Sequence, residues 1–138
     1  RVIIQTLNDT HEIFRFVRNH DYTGFYRSEL EVRRMLGYPP FARLARVLVR
    51  GRDEDEVSQT AERLGAEMDR IISSRGLMVQ KLGPAAAPFA KIGGNFRHHM
   101  ILKARATADF NDVIRGAQAV IKQGQVHIEI DIDPADML

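Results

Sequence analysis

Residues 43–76 show first a strand pattern and then a helix pattern. Apolar and basic side chains alternate with period two up to Gly51, which predicts a strand. An acidic first turn after Asp53 then opens a segment that runs to Ser74, and acidic residues stabilise the N-terminus of a helix. Apolar residues recur in that segment at spacings of three and four, which predicts a helix with one buried side. They are Val57, Ala61, Leu64, Met68 and Ile71.

The remaining segments complete a βαββαβ order. Residues 77–82 and 95–103 predict two strands, with a loop from Pro84 to Gly94 between them. A helix opening at Thr107 or Asp109 and ending at Gly124 follows, and residues 126–132 form a last alternating strand. The apolar side of this helix comprises Phe110, Val113, Ile114, Ala117 and Ile121. We therefore predict an α+β fold of the ferredoxin-like type, an antiparallel sheet with both helices on one face and the other face free.

The first forty residues have a different pattern. Residues 2–4 read as a short buried strand, and Asn8–Thr10 supply cap chemistry for a helix that ends near residue 20. A second helix is predicted over residues 22–36, because Gly37 and the prolines that follow cannot continue it. We place the domain boundary after residue 40, with 1–40 as a helical connector and 41–138 as the autonomous domain.

Charge is distributed unevenly along the chain. The net charge is only +2, from 20 Lys and Arg against 18 Asp and Glu. Residues 70–108, however, contain seven basic side chains and no carboxylate. We expect these basic residues to gather on one exposed surface that meets a polyanion.

Several kinds of chemistry are not expected of this sequence. It has no Cys, no phosphate-cradling Gly-rich motif, and no apolar run long enough to cross a bilayer. Neighbouring strand residues point to opposite faces, so His98 and His99 cannot chelate one ion together. Glu129, Asp131 and Asp133 share a strand face, where a solvated acidic surface is favoured over a cation site. We therefore expect no metal and no cofactor, in a soluble fragment of a larger intracellular protein.

The segment from Lys81 to Arg105 carries the functional signal. Basic side chains neutralise phosphates, aromatic rings stack on unpaired bases, and glycines let a backbone approach closely. The alternative is structural, with Phe96 in the core and the basic residues keeping strand edges soluble. The predicted DNA-binding residues are Lys81, Lys91, Gly93, Gly94, Phe96, Arg97, His98, Lys103 and Arg105, with Phe89 as a second flanking ring.

Three ordered motifs resemble one family. Residues 25–41 resemble its stretch FYxRELExRRxLGYPPF, and residues 83–97 resemble its segment GPxxAPxxK…YR. Residues 130–134 resemble its terminal xDxDP. The family is that of the primosomal replication-restart DNA helicases (primosomal protein N′, PriA), and the resemblance spans almost the whole chain.

The resemblance implies a function that composition does not show. Members are ATP-dependent 3′→5′ DNA helicases of the bacterial cytoplasm that recognise abandoned forks at the nucleoid and reload the replicative helicase. Residues 1–6 would end the second helicase lobe, residues 7–40 would link, and residues 41–138 would be a DNA-binding domain similar to ribosomal protein S10. The parent's ATP, Mg²⁺ and Zn²⁺ would bind upstream, so this fragment would bind single-stranded or forked DNA without catalysis.

Two other interpretations stay open. The chain could be a docking module for the helicase core of the same polypeptide, for single-stranded DNA-binding protein or for other primosome proteins. A contiguous apolar open sheet face would favour docking, and spread Arg and Lys would favour DNA. A small-molecule sensor of the ACT type lacks the placed polar groups of a pocket. The candidate linker and docking residues are Phe25, Tyr26, Arg33, Arg34, Tyr38, Pro39 and Pro40.

Overall fold

The computed structural model describes residues 2–119 and 125–134, which fall into two compact units. Residues 1–38 form unit 1 and residues 39–138 form unit 2. No helix in the described part of the chain combines the length and the apolar character that a membrane span requires.

Unit 1 is a pair of helices, α1 (Ile13–Arg18) and α2 (Tyr22–Leu36). The ring of Phe16 on α1 meets the ring of Phe25 on α2 edge to face, with centroids 6.2 Å apart. The side chain of Asp21 caps α2 by accepting from the Gly24 N–H at 2.8 Å. Gly37 ends α2 in the left-handed region at φ 59°, as a glycine after a helix commonly does.

Two predictions for unit 1 are wrong. Residues 2–4 are not a buried strand: Val2 is 88% exposed and Ile3 is 84% exposed, and a single strand needs a neighbour to pair with. Helix α1 begins at Ile13 with Glu12 as its cap residue, whose side chain makes no capping bond, and the Ile13 N–H donates to His11 Nδ1 at 3.2 Å. The Thr10 hydroxyl instead donates to the Asn8 side-chain carbonyl at 3.0 Å, so the polar run at 8–10 forms local bonds ahead of the helix.

Unit 2 is a four-stranded antiparallel sheet with two helices. Its elements in chain order are β1 (Arg43–Gly51), α3 (Glu54–Arg75), β2 (Val79–Ile92), β3 (Asn95–Ala104), α4 (Thr107–Gln118) and β4 (His127–Ile132). The spatial strand order is β2-β3-β1-β4, and every neighbouring pair is antiparallel. This is the predicted ferredoxin-like α+β arrangement, so the fold class is confirmed.

The core lies between the helices and one face of the sheet. Every apolar residue predicted to line α3 is buried, and Leu64 and Met68 are each 1% exposed. Phe110 and Val113 of α4 are fully buried against the same cluster. The described part of α4 ends at Gln118, and the predicted core residue Ile121 and helix end at Gly124 lie outside the described residues.

The segment predicted as a loop from Pro84 to Gly94 belongs mostly to strand β2. This strand pairs with β3 from Val79 to Leu82, then at Ala85 and Ala86, and again at Lys91 and Ile92, with a register shift between each of these stretches. Prolines suggested a loop, but β2 is at the edge of the sheet, where a residue without an N–H leaves no ladder bond unmade. The turn to β3 is made by Gly93 and Gly94, with φ of 56° and 79°.

Leu64→Ala should lower the free energy of unfolding by about 2–5 kcal/mol, because it removes a buried side chain and leaves a cavity under the sheet. Urea titration followed by circular dichroism measures the change. Met78→Ala is the matched control: Met78 is 83% exposed, and the expected change is within about 0.5 kcal/mol. Equal losses in the two variants would contradict the packing described here.

Candidate functional site

The sheet face opposite the helices presents a regular grid of side chains, which we call the open face. Side chains alternate across a strand, so residues that are neighbours of core residues point to the open face. Strand β1 contributes Leu44, Arg46, Leu48 and Arg50, and β3 contributes Arg97, His99, Ile101 and Lys103. Strand β4 contributes His127, Glu129 and Asp131, and β2 contributes Gln80, Leu82 and Ala85.

On the two central strands of the open face, each basic side chain lies opposite an apolar one, except that Arg50 lies opposite Arg97. Leu44 lies opposite Lys103, Arg46 opposite Ile101, and Leu48 opposite His99. Leu44 and Leu48 are 8% and 4% exposed although α3 and α4 pack against the other side of the sheet. The methylene stems of long basic side chains can cover apolar neighbours, while the charged ends of those side chains stay at the surface. The open face therefore presents mainly guanidinium, ammonium and imidazole groups.

The acidic residues of the sheet are confined to one edge strand. Strands β1, β2 and β3 contain no Asp or Glu, whereas β4 carries Glu129 and Asp131. Asp131 lies 3.8 Å from the Arg46 guanidinium, and Glu129 forms an ion pair with Arg50. The open face thus has a cationic region over β1 and β3, with uncharged side chains of β2 on one side of it and an acidic border at β4 on the other.

Bonds from one side chain and one backbone N–H of β1 to Asp133 hold the acidic border to that strand, and we call this set of contacts the clamp. The Asp133 carboxylate accepts from Arg43 and, at 3.2 Å, from the backbone N–H of Leu44. The hydrogen bond from Arg43 is the main cause that holds the pKa of Asp133 below its ordinary value, and the bond from Leu44 acts in the same direction. Asp133 is therefore ionised whenever its unfolded counterpart is.

The hairpin residues predicted to bind DNA fall on both sides of the sheet. Arg97 and Lys103 lie on the open face, and Arg105 is exposed just beyond the end of β3. Arg97 is only 9% exposed, and its guanidinium donates to the Phe89 carbonyl at 3.2 Å. Arg97 therefore both presents charge to the open face and fastens the irregular part of β2 to β3.

Lys81 and His98 lie on the helix-covered side and are not part of the open face. The Lys81 side chain is 8% exposed, with its ammonium 3.1 Å from Asp69 of α3 and donating to the Gly83 carbonyl at 2.9 Å. The imidazole Nδ1 of His98 is buried and has no hydrogen-bond partner among the described residues. One step along a strand reverses the face, so the period-two alternation of β3 distinguishes His98 from Arg97 and Lys103; the prediction from charge alone did not use it.

The turn of the hairpin carries the remaining predicted residues. The Lys91 ammonium lies 4.0 Å from the centroid of the Phe96 ring, within cation–π range. Phe96 packs partly against the core, whereas Phe89 is 54% exposed. Side chains added at Gly93 or Gly94 would meet open space, so this turn leaves its backbone accessible. Phe89 is thus the predicted ring that remains available to a base.

The expectation that the basic residues of 70–108 gather unopposed on one surface is wrong. Arg70 bonds Glu67 at 2.8 Å, Arg75 lies 3.4 Å from Asp112, and Lys81 is paired as described above. The carboxylates come from α3 and α4, which flank this stretch in the chain and pack against the sheet. The cationic region instead combines β3 with β1, and sequence reasoning missed Arg46, Arg50 and His99. Their period-two alternation was the available signal, but it was used only to predict a strand.

The linker residues named from the sequence lie on or just after α2. Tyr26 stacks on Tyr22 with centroids 6.4 Å apart and is 51% exposed. Arg33 bonds Glu29 at 2.7 Å, and its carbonyl accepts from the Tyr38 N–H at 2.8 Å. The Arg34 carbonyl accepts from Gly37, and Pro39 and Pro40 follow at the start of unit 2.

Metal chemistry receives no support from the described residues. His98 and His99 lie on opposite faces, as predicted, and the described part of the chain contains no cluster of three or more His, Asp or Glu suited to an ion. The carboxylates of β4 are instead engaged with the arginines of β1.

Fold and site together define a ferredoxin-like α+β domain with an open sheet face that is cationic on its two central strands. The chain belongs to the family described as primosomal protein N C-terminal domain, whose model matches residues 34–135. This confirms the family resemblance seen in the sequence motifs.

Curated relatives of the chain are replication restart proteins. It is 32% identical to replication restart protein PriA of Synechocystis and 30% identical to that of Bacillus subtilis, over 97% and 99% of this chain. The protein of the same name from Borreliella burgdorferi is 26% identical over 99% of this chain. The chain spans only 16%, 17% and 20% of these relatives, respectively.

A solved structure supports the fold alone. The de novo designed protein Foldit4 matches with a TM-score of 0.50 and 14% identity, over 69% of this chain and 99% of that one. A designed protein has no ancestral function, so this likeness concerns the arrangement of helices and strands.

Asp133→Asn should reduce stability near neutral pH, and its difference from the natural chain should shrink as the pH falls. The pKa of Asp133 is lowered by folding, so its contribution is present above the ordinary value of 3.8 and is lost as pH falls through the lowered folded value. Urea titrations of both chains at several pH values measure this difference. A difference that is constant across that range would contradict the clamp.

Proposed function

We propose that this chain is a non-catalytic DNA-binding module of a replication-restart helicase, acting at the nucleoid on single-stranded or forked DNA. Family membership supports a replication restart protein as the parent of this chain, since the curated relatives carry the name replication restart protein PriA. The ATP, Mg²⁺ and Zn²⁺ of such a parent would be bound by parts of the polypeptide outside this sequence.

The observation that carries the proposal is the charge pattern of the open face. Arg46, Arg50 and Lys103 present cations there, on strands that contain no carboxylate of their own. Cationic side chains bind nucleic acid mainly by neutralising phosphates and releasing their counterions. The two central strands can therefore hold a DNA backbone along the open face.

The contacts that the open face offers favour weak sequence preference. Phosphate contacts position a nucleic acid without reading its bases. The exposed ring of Phe89 lies at the β2 edge of the same sheet, with its carbonyl bonded to Arg97. An exposed ring accepts any unpaired base by stacking, so this edge favours single strands over an intact duplex.

Unit 1 supports a second function, docking on the helicase core of the same polypeptide. Its large apolar side chains are unusually exposed, with Leu7 at 110%, Met35 at 79% and Tyr22 at 75%. Large apolar side chains left this exposed can become buried when the unit packs against another protein. Single-stranded DNA-binding protein and other primosome proteins are further candidate partners for this unit.

The double variant Arg50→Ala/Lys103→Ala should bind single-stranded DNA more weakly than the natural chain. Each lost phosphate contact should reduce the slope of log affinity against log salt by about 0.7. Fluorescence anisotropy with a labelled oligonucleotide, repeated over a salt series, measures both quantities. The loss should be similar for oligonucleotides of different sequence, because phosphates are the groups contacted.

The control for this experiment is Arg63→Ala, which removes one positive charge from the helix side of unit 2. It should leave affinity and salt dependence nearly unchanged. If the double variant bound as tightly as the natural chain, the open face would not be the DNA contact. Failure of the natural chain to bind even at low salt would reject the DNA-binding function itself.

Met35→Glu should weaken docking of this chain on a helicase core at least about tenfold, since a charge would enter an apolar contact. Isothermal titration of this chain into Bacillus subtilis PriA that lacks the homologous C-terminal part, 17% of its length, measures this. Met78→Glu is the matched control, because Met78 in unit 2 is exposed to a similar extent, 83% against 79%. Equal effects of the two changes would reject docking through unit 1.

A further inference from the structure

His99 occupies the centre of the cationic region of the open face. Leu48 lies directly across from it on β1, and Arg46 and Arg50 are the next residues on the same side of that strand. Arg97 precedes His99 by two positions on β3 and points to the same side. His99 is therefore surrounded by three guanidinium side chains, on its own strand and on the next.

The spacing of these positions allows their polar ends to converge on one small anion. Same-face residues along a strand are about 6.6 Å apart, and diagonal neighbours on adjacent strands are about 7–8 Å apart. Arg and His side chains are long enough to meet across such distances. The Arg46 side chain is only 16% exposed and Arg97 is 9% exposed, so both guanidinium groups are held within the face.

We propose that Arg46, Arg97 and His99 form a phosphate-binding subsite, in which one phosphodiester group of DNA accepts a hydrogen bond from protonated His99. The proposal rests on the DNA-binding function and names the group that the centre of the open face receives. Arg46 donates at the surface of the subsite, and the more deeply placed Arg97 provides positive charge beneath it. One proton is taken up as the phosphate enters.

The electrostatics of the free protein set the conditions for this proton uptake. Burial lowers the pKa of His99 below its ordinary value of 6.5, and the charges of Arg46, Arg97 and His98 lower it further. The imidazole is therefore neutral at neutral pH. A phosphate anion between the two guanidinium groups offsets their repulsion and raises the pKa, so DNA binding and protonation favour each other.

The effect of each remaining group around His99 on the pKa of that imidazole follows from the charge of the group. Arg50 on β1 adds positive charge and is paired with Glu129, and the Arg46 guanidinium lies 3.8 Å from Asp131; both carboxylates belong to β4 and lie beyond β1. The residue opposite His99 on β2 is Ala85, which does not titrate. Helices α3 and α4 lie on the other side of the sheet. The phosphate is therefore the counterion expected to raise the pKa of His99 most.

The experiment measures affinity for a labelled single-stranded oligonucleotide at constant ionic strength as the pH is lowered. The natural chain should bind up to about tenfold more tightly at low pH, the factor that a one-unit rise in the pKa of His99 produces. His99→Gln should remove most of this pH dependence. His98→Gln and His127→Gln are matched controls, on the covered face and at the β4 edge, and should keep it.

The imidazole resonance of His99 provides a second readout that needs no variant. Its titration, followed by nuclear magnetic resonance without and with saturating oligonucleotide, should move to higher pH in the complex. Inorganic phosphate as a probe should produce a smaller shift in the same direction. An unchanged His99 titration in the complex, or a His99→Gln chain that keeps the full pH dependence, would overturn the subsite. Failure of the natural chain to bind the oligonucleotide at every pH would instead reject the DNA-binding function.

Discussion

Burial of one side of the sheet beneath α3 and α4 is the constraint on which the rest of unit 2 depends. Leu64, Met68 and Phe110 fill the space between helices and strands, and they fix which residues of each strand face inward. Because side chains alternate along a strand, the same burial turns every second residue outward. The hydrophobic core thus decides which basic residues form the open face, although it contacts none of their charged ends.

The strand order converts this local alternation into a charge pattern. Strands β1 and β3 are far apart in the chain but adjacent in the sheet, so Arg46 and Arg50 join Arg97 and Lys103 on one surface. Strand β4 lies on the other side of β1 and brings the carboxylates of Glu129 and Asp131 to the arginines. The polarity of the face therefore arises from topology as much as from composition.

Predictions succeeded where the controlling interactions are local. The end of α2 at Gly37, the core stripe of α3 and the alternation of β4 depend on neighbours in the chain, and each was foreseen. Predictions failed where a distant partner decides. Residues 2–4 have strand composition but form no strand, whereas β2 pairs with β3 across prolines that suggest a loop.

The sequence by itself determined the fold class, the family and the presence of a cationic stretch, because periodicity, turns and motifs depend on residues that are close together in the sequence. Only the tertiary structure decided which cations act together. Lys81 and His98 lie on the covered face. Arg70, Arg75 and Lys81 are paired with carboxylates of α3 and α4. Arg46 and His99 interact although they belong to separate strands. The physical reason is that charge interactions depend on distance in space, which strand register and helix packing set.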